Sequence, residues 1–225
     1  TRGAEMGHFY HDTGEGSLSA YHQESQGDIV WEIASGYFGC RDVSGRFDPE
    51  KFRVKSQLSQ VKMIEIKLSG GQLPAAKVTP EIAETRGIPM GMDCISPPAH
   101  SAFTTPLELI DFIVQLRNLS GGKPVGFKLC IGQGWEFMAI VKAMLSRDIY
   151  PDFIVVDGSE GGTGAAASEF LDHVGMPLRD GFLLVHNTLV GAGIRDRIRV
   201  GVSGKIISGF DVARMLAMGA DWCNS

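Results

Sequence analysis

An α/β domain of repeated strand–helix units, a (β/α)8 TIM barrel seen incomplete, is the fold that this 225-residue chain predicts, on three observations. Short apolar runs alternate with segments of helical periodicity through most of the chain. Glycine, at 29 residues about twice its usual share, falls mostly just after those apolar runs. Charged and hydrogen-bonding residues gather at the same places, the carboxyl ends of the strands. A barrel builds its site there from all the βα loops, whereas an open doubly wound sheet concentrates its ligand at one crevice.

The elements follow in order. Residues 7–13 and 28–36 read as strands that end in TGEG and SGYFG, and residues 61–68 (VKMIEIKL) alternate like a third. Over 105–119, Leu107, Ile110, Ile113, Val114 and Leu116 share one helical face. Thr105 is its N-cap, with Pro106 at the first helical position and Glu108 in the capping-box slot. Residues 124–131 (PVGFKLCI) form a strand, followed by a helix in which Phe137, Ile140, Val141, Met144 and Leu145 recur at helical spacing. The continuous run FIVVD at 153–157 is the mark of a parallel strand covered on both faces. A helix over 178–194, a strand at 199–203 (RVGVS) and a helix over 210–218, closed by Gly219, complete the pattern. Strand ends fall at Thr13, Ser35, Leu68, Ile131, Asp157, Ser203 and the final DWCNS. Seven units against eight imply a missing strand, so residues 1–225 read as one domain and a fragment, short of its first strand and its C-terminal end.

Bulk properties exclude several functions. A net charge of −5 with scattered Lys and Arg argues against a nucleic-acid surface. No apolar run approaches the ~18 residues of a membrane span, and the opening TRGAEMGHFYHD lacks the apolar core of a secretory signal. Cys40, Cys94, Cys130 and Cys223 are far apart, with no CxxC pair. That spacing points to reduced thiols in a cytoplasmic-type compartment and to no metal site. Each is most simply a small buried residue.

The stretch GSEGGTGAA at 158–166 follows an apolar strand, so its glycines either let main chain approach a flat or phosphorylated cofactor or make a tight βα turn. VSGKIISGFD at 202–211 combines Ser203, Gly204 and Lys205 with a helix start, a phosphate-type arrangement or a capped turn. Lys128 lies inside an apolar strand, where a lysine is costly unless it serves a site or reaches solvent. Glu15 in TGEG is a proton-transfer candidate or an exposed turn acid. Lys67, Gln72 and Arg86, with Lys77, form a cationic set suited to a dicarboxylate, although a solvated face is the simpler reading of Lys77. His100, His173 and His186 show no ligand spacing and read as structural.

Taken together, TGEG, WEIASGYFGCR, MIEIKLS, GGQLPAAKVTPEIAETRG, CISPPAH, GFKLC, DGSEGGTGA, VSGKIISGFDVARMLAMGAD and WCNS closely resemble the FMN-binding domain of glutamate synthases, above all the short prokaryotic glutamate-synthase-like proteins. The resemblance runs over essentially the whole chain. It implies an FMN-dependent oxidoreductase that forms L-glutamate from 2-oxoglutarate and ammonia, with hydride passing from reduced FMN to 2-iminoglutarate. It also implies an iron–sulfur cluster in the full-length protein, its cysteine ligands beyond this chain. Partners would be a glutaminase subunit and a ferredoxin or NAD(P)H-linked electron donor. Carried over residue by residue, Glu15 and Lys67 are catalytic, and Lys67, Gln72 and Arg86 hold the oxo acid. Gly14, Lys128, Asp157, Gly161, Gly162, Thr163, Gly164, Ser203, Gly204 and Lys205 meet the flavin. The alternatives are an N-methylglutamate-forming subunit that uses methylamine and a barrel that has lost its flavin. One departure stands out: Ser69 meets Gly70 directly, where the family has a longer loop with another Gln and Lys. That junction is expected to be an unseen mobile loop rather than a true deletion.

Overall fold

A computed structural model describes residues 1–160 and 172–225, in two compact units: 1–104 with 111–125, and 105–110 with 126–225. The first unit opens with helix α1 (Arg2–Gly7), closed by His8 in the left-handed conformation, φ 55°. The strand expected over 7–13 is therefore only His11–Asp12 (β1). Local N–H bonds from His8 and Phe9 back to Glu5 and Ala4 take the chain into a helix cap instead. A short helix α2 (Ala20–Gln23) leads to β2 (Ile29–Ile33), helix α3 (Pro49–Ser56) and β3 (Val61–Lys67). These strands pair in parallel, β1 with β2 and β2 with β3. β2 is buried at every position, as a strand covered on both faces must be.

After β3 comes a small antiparallel pair, β4 (Gln72–Leu73) with β5 (Cys94–Ile95), and between them helix α4 (Pro80–Arg86). Thr79 caps α4 by accepting from the Ile82 N–H, with Pro80 at the first position and Gly87 in left-handed geometry after the last. Phe38, Val78, Ala83 and Cys94 form a satellite core beneath it, joined by Leu73, Ile82 and Ile88. Helix α5 (Pro106–Leu119) carries the expected reciprocal cap: Thr105 N–H donates to Glu108 Oε2 (3.0 Å) and Glu108 N–H to Thr105 Oγ1 (3.3 Å).

The second unit runs β6 (Val125–Leu129), α6 (Gly134–Arg147), β7 (Phe153–Asp157), α7 (Leu178–Gly191), β8 (Arg199–Ser203), α8 (Gly209–Ala217) and β9 (Trp222–Asn224). Its ladders β6–β7, β7–β8 and β8–β9 are all parallel. The strand–helix alternation is that of the predicted α/β class, with seven parallel strands among the described residues. The apolar faces differ at their edges: Leu107 and Leu145 are exposed, while Leu109 and Phe112 are buried in their stead. Asp221 locks the amino end of β8, accepting from Val200 N–H (2.7 Å), Arg195 Nη2 (2.8 Å) and Arg199 Nη1 (3.0 Å). All four cysteines are free; Cys40 and Cys94 are buried as expected, but Cys130 is exposed and Cys223 half-buried. Cys130 lies just past the end of β6, where the strand leaves the core. Among the described residues no helix is long and apolar enough to cross a membrane.

Candidate active site

Loop 13–16 starts the site. Thr13 donates its backbone N–H to Val30 and its hydroxyl to the Gly14 carbonyl, while accepting from Glu32 N–H (3.0 Å). Gly14, at φ 63° with its N–H on Asp12 Oδ1 (2.7 Å), turns the chain, and among the described residues nothing lies within 4 Å of where a side chain would point. The loop thereby sets Glu15 against Lys67, the last residue of β3. Lys67 Nζ donates to Glu15 Oε2 at 2.5 Å, and both side chains are nearly buried, 13% and 10% exposed. The other carboxylate oxygen accepts from Ser96 Oγ (2.9 Å). A buried ion pair with its remaining lone pairs satisfied is the arrangement in which such a pair persists.

Arg86 adjoins this pair through Gly16, whose missing Cβ would stand 3.2 Å from Arg86 Nη2. Its guanidinium lies over the Phe38 ring at 4.9 Å and donates to Cys94 Sγ at 3.5 Å. It also lines a cavity of about 340 Å³ with Thr13, Ser17, Ser19, His22 and Thr79 among its walls. Burial holds the His22 imidazole below its ordinary range, followed by the neighbouring His11. Its Nδ1 accepts from Ser19 N–H (2.9 Å), which leaves the proton on Nε2. Gln72 is placed differently from the other three: it is exposed on β4 and donates to Asp93 at 3.4 Å.

In the second unit, Asp157 and Ser203 stand opposite each other at the carboxyl ends of β7 and β8, and Ser203 opposes Asn224 of β9. Gly204 and Lys205 follow with φ 133° and 47°, just ahead of the Ser208 cap of α8. The Lys205 ammonium meets Asp172 at 3.2 Å, an exposed and hence weak pair. Lys128 is half-buried in β6, opposite Val155. Gly161, Gly162, Thr163 and Gly164 lie outside the described residues. The described start of that glycine stretch has a local explanation: a Cβ on Gly158 would come within 2.7 Å of the Leu178 main chain. Glu160 is there because it accepts the Leu178 N–H (2.9 Å) at the start of α7.

Sequence reasoning missed two features. Asp12, Glu32 and Glu65 bring carboxylate oxygens within 4.8 Å of one another, with Glu32 and Glu65 in register across β2 and β3. The argument applied to Lys128, a charge inside an apolar strand, would have found both glutamates in WEI and IEI. The second is the pair of partners of His100, a ring expected to be structural: it is buried, with Nε2 2.8 Å from the Lys67 carbonyl and Nδ1 3.0 Å from the Tyr37 hydroxyl.

Parallel strands alternating with helices, with charged side chains and bare main chain at their carboxyl ends, define the α/β-barrel class of fold. Solved structures share the fold: a flavocytochrome b2 double mutant with sulfite bound aligns with TM-score 0.55 at 12% identity, over 96% of this chain and 47% of that one. The same protein with pyruvate bound gives 0.53. The chain belongs to the glutamate synthase family, whose conserved region matches residues 2–225. The glutamate synthase large subunit-like protein YerD of Bacillus subtilis (strain 168) is 40% identical over 219 residues, 95% of this chain and 42% of that protein. An archaeal-type glutamate synthase (NADPH) of Thermotoga maritima is 35% identical over 217 residues, 96% of this chain and 41% of that protein. The chain thus spans about two fifths of the length of these relatives.

Proposed function

We propose that the chain carries the amination site of a glutamate-synthase-type, FMN-dependent oxidoreductase, acting on 2-oxoglutarate and ammonia or a small amine. The observation that carries the reading is the buried Glu15–Lys67 pair beside an arginine-lined cavity. Arg86 takes a carboxylate of the oxo acid, because a guanidinium fork matches that group; Gln72 joins it once released from Asp93. Glu15 accepts in turn the two protons that the attacking nitrogen gives up. Lys67 passes one to the carbonyl oxygen on addition and one to the resulting hydroxyl, which leaves as water. The 2.5 Å contact lets Glu15 reprotonate Lys67 between the two transfers.

The chain's own main chain fits FMN in two places, each taken alone. Gly14 offers bare backbone with no described residue within 4 Å above it. Ser203, Gly204 and Lys205 offer a hydroxyl, a side-chain-free turn and a cation beside the start of α8, the features that receive a phosphate. Lys128 and Asp157, with Gly161 to Gly164, complete the proposed set, Lys128 as the cation that favours a reduced, anionic ring. At these residues FMN, when bound and reduced, would supply hydride chemistry to the imine. An iron–sulfur cluster and electron-donor or glutaminase subunits belong to the rest of the assembly in this reading. The test is formation of L-glutamate from 2-oxoglutarate and ammonium by the reduced full-length protein; product with methylamine alone would move the reading to the N-methylglutamate class.

A further inference from the structure

Lys67 is held from its main chain as well as from its side chain. Its carbonyl, past the last rung of the β2–β3 ladder at Ile33–Ile66, accepts from His100 Nε2 at 2.8 Å. A carbonyl only accepts, so Nε2 carries the proton and Nδ1 of the neutral ring is an acceptor. At 3.0 Å from Nδ1 stands the Tyr37 hydroxyl, which must therefore donate. That hydroxyl in turn accepts from Ala102 N–H (3.1 Å), so each atom in the chain has one consistent role. The ring is also fixed mechanically, stacked on Phe103 (4.5 Å, 19°) and met edge-on by Tyr37 (5.3 Å, 70°). Tyr37 is fully buried yet sits at φ 47°. A bulky residue in left-handed backbone costs roughly 1–3 kcal/mol and persists where surrounding structure demands it. Here it aims the hydroxyl at His100.

We infer that His100, keyed by Tyr37, is a positioning residue that acts through the Lys67 main chain to keep the Lys67 ammonium on Glu15. The inference rests on the proposed catalytic role of Lys67, but the geometry it describes is separately measurable. The imidazole is about 5% exposed and touches no cavity-lining residue of the site among its hydrogen-bond partners. Its influence on chemistry has to pass through the lysine.

The test compares the full-length protein with His100→Gln, His100→Phe and Tyr37→Phe, reading the rate at which an amine-acylating reagent modifies Lys67, mapped by mass spectrometry. In the parent protein the lysine is shielded by its carboxylate. His100→Phe should raise its acylation roughly tenfold, the size of one buried hydrogen bond lost, with turnover falling and KM for the oxo acid little changed. His100→Gln, which keeps an N–H donor for the carbonyl, should restore most of the protection. Tyr37→Phe, a smaller disturbance that keeps the aromatic core, should fall between, and it serves if His100→Phe fails to fold. Unchanged Lys67 acylation in folded variants overturns the inference, whatever their melting temperatures. If acylation responds as described while even the parent protein makes no amino acid, the positioning stands and the amination reading falls.

Discussion

The two units arrange polar groups at their strand ends by opposite means. In the first, side chains do the work: Glu15, Lys67 and His100 are buried or nearly so, each locked by partners 2.5 to 3.0 Å away. In the second, the strand ends carry a hydroxyl, a left-handed turn and an exposed Lys205, and the buried interior among the described residues is apolar. A group that must move protons needs a fixed, water-poor setting, because electrostatic interactions gain strength there. A group that only receives an anion can wait in solvent, held by a weak pair that the ligand displaces. The contrast predicts that mutations in the first unit damage chemistry and stability together, whereas those at the β8 end of the second damage binding alone.

The largest break in this contrast should come from Lys67→Met. Turnover should drop by on the order of 10²–10⁴, the span of proton-transfer catalysis, and the stranded Glu15 should also cost stability by about 3–5 kcal/mol; steady-state assay and denaturant titration read the two. Next, Arg86→Ala should raise KM for the oxo acid by about 10- to 100-fold, one charged hydrogen-bonding contact, with flavin content unaltered. Lys205→Ala should weaken FMN binding about tenfold in a fluorescence titration while leaving the melting temperature in place. Gly158→Ala sharpens the second unit's side: overpacking against Leu178 should cost about 1–3 kcal/mol, a stability effect at a glycine packed against main chain.

The smallest effect concerns pH. Burial depresses the His100 and His22 imidazoles, so the unfolded chain binds protons that the folded chain refuses. Stability therefore falls as pH drops below the ordinary histidine range, about 6.5. A loss on the order of a few degrees of Tm between pH 7 and 5 should be reduced in His100→Gln.

What the sequence disclosed follows the physics of each element. FIVVD and RVGVS became strands with the expected bounds because a doubly covered strand is a continuous apolar run. The capping box at Thr105 was readable because its chemistry is local. The opening segment misled in part: of the strand expected over 7–13 only His11–Asp12 forms, because His8 and Phe9 close α1 with backbone bonds that the residue pattern does not signal. Glu15 and Lys67 were nameable singly, but their contact spans 52 residues and no local pattern encodes it. His100 was read as structural and is buried, but its partners, Tyr37 and Lys67, were illegible for the same reason, lying 63 and 33 residues away. Gln72 was named for its residue type, whereas its bond to Asp93 spans 21 residues and no local pattern encodes it.

The most direct measurement follows the visible absorbance of the full-length protein, loaded with FMN and reduced, after mixing with 2-oxoglutarate and ammonium. Return of the oxidised flavin bands together with an equimolar yield of L-glutamate, and loss of both in Lys67→Met, is the predicted result. A flavin that stays reduced in the parent protein, or a protein that retains none, would contradict the account.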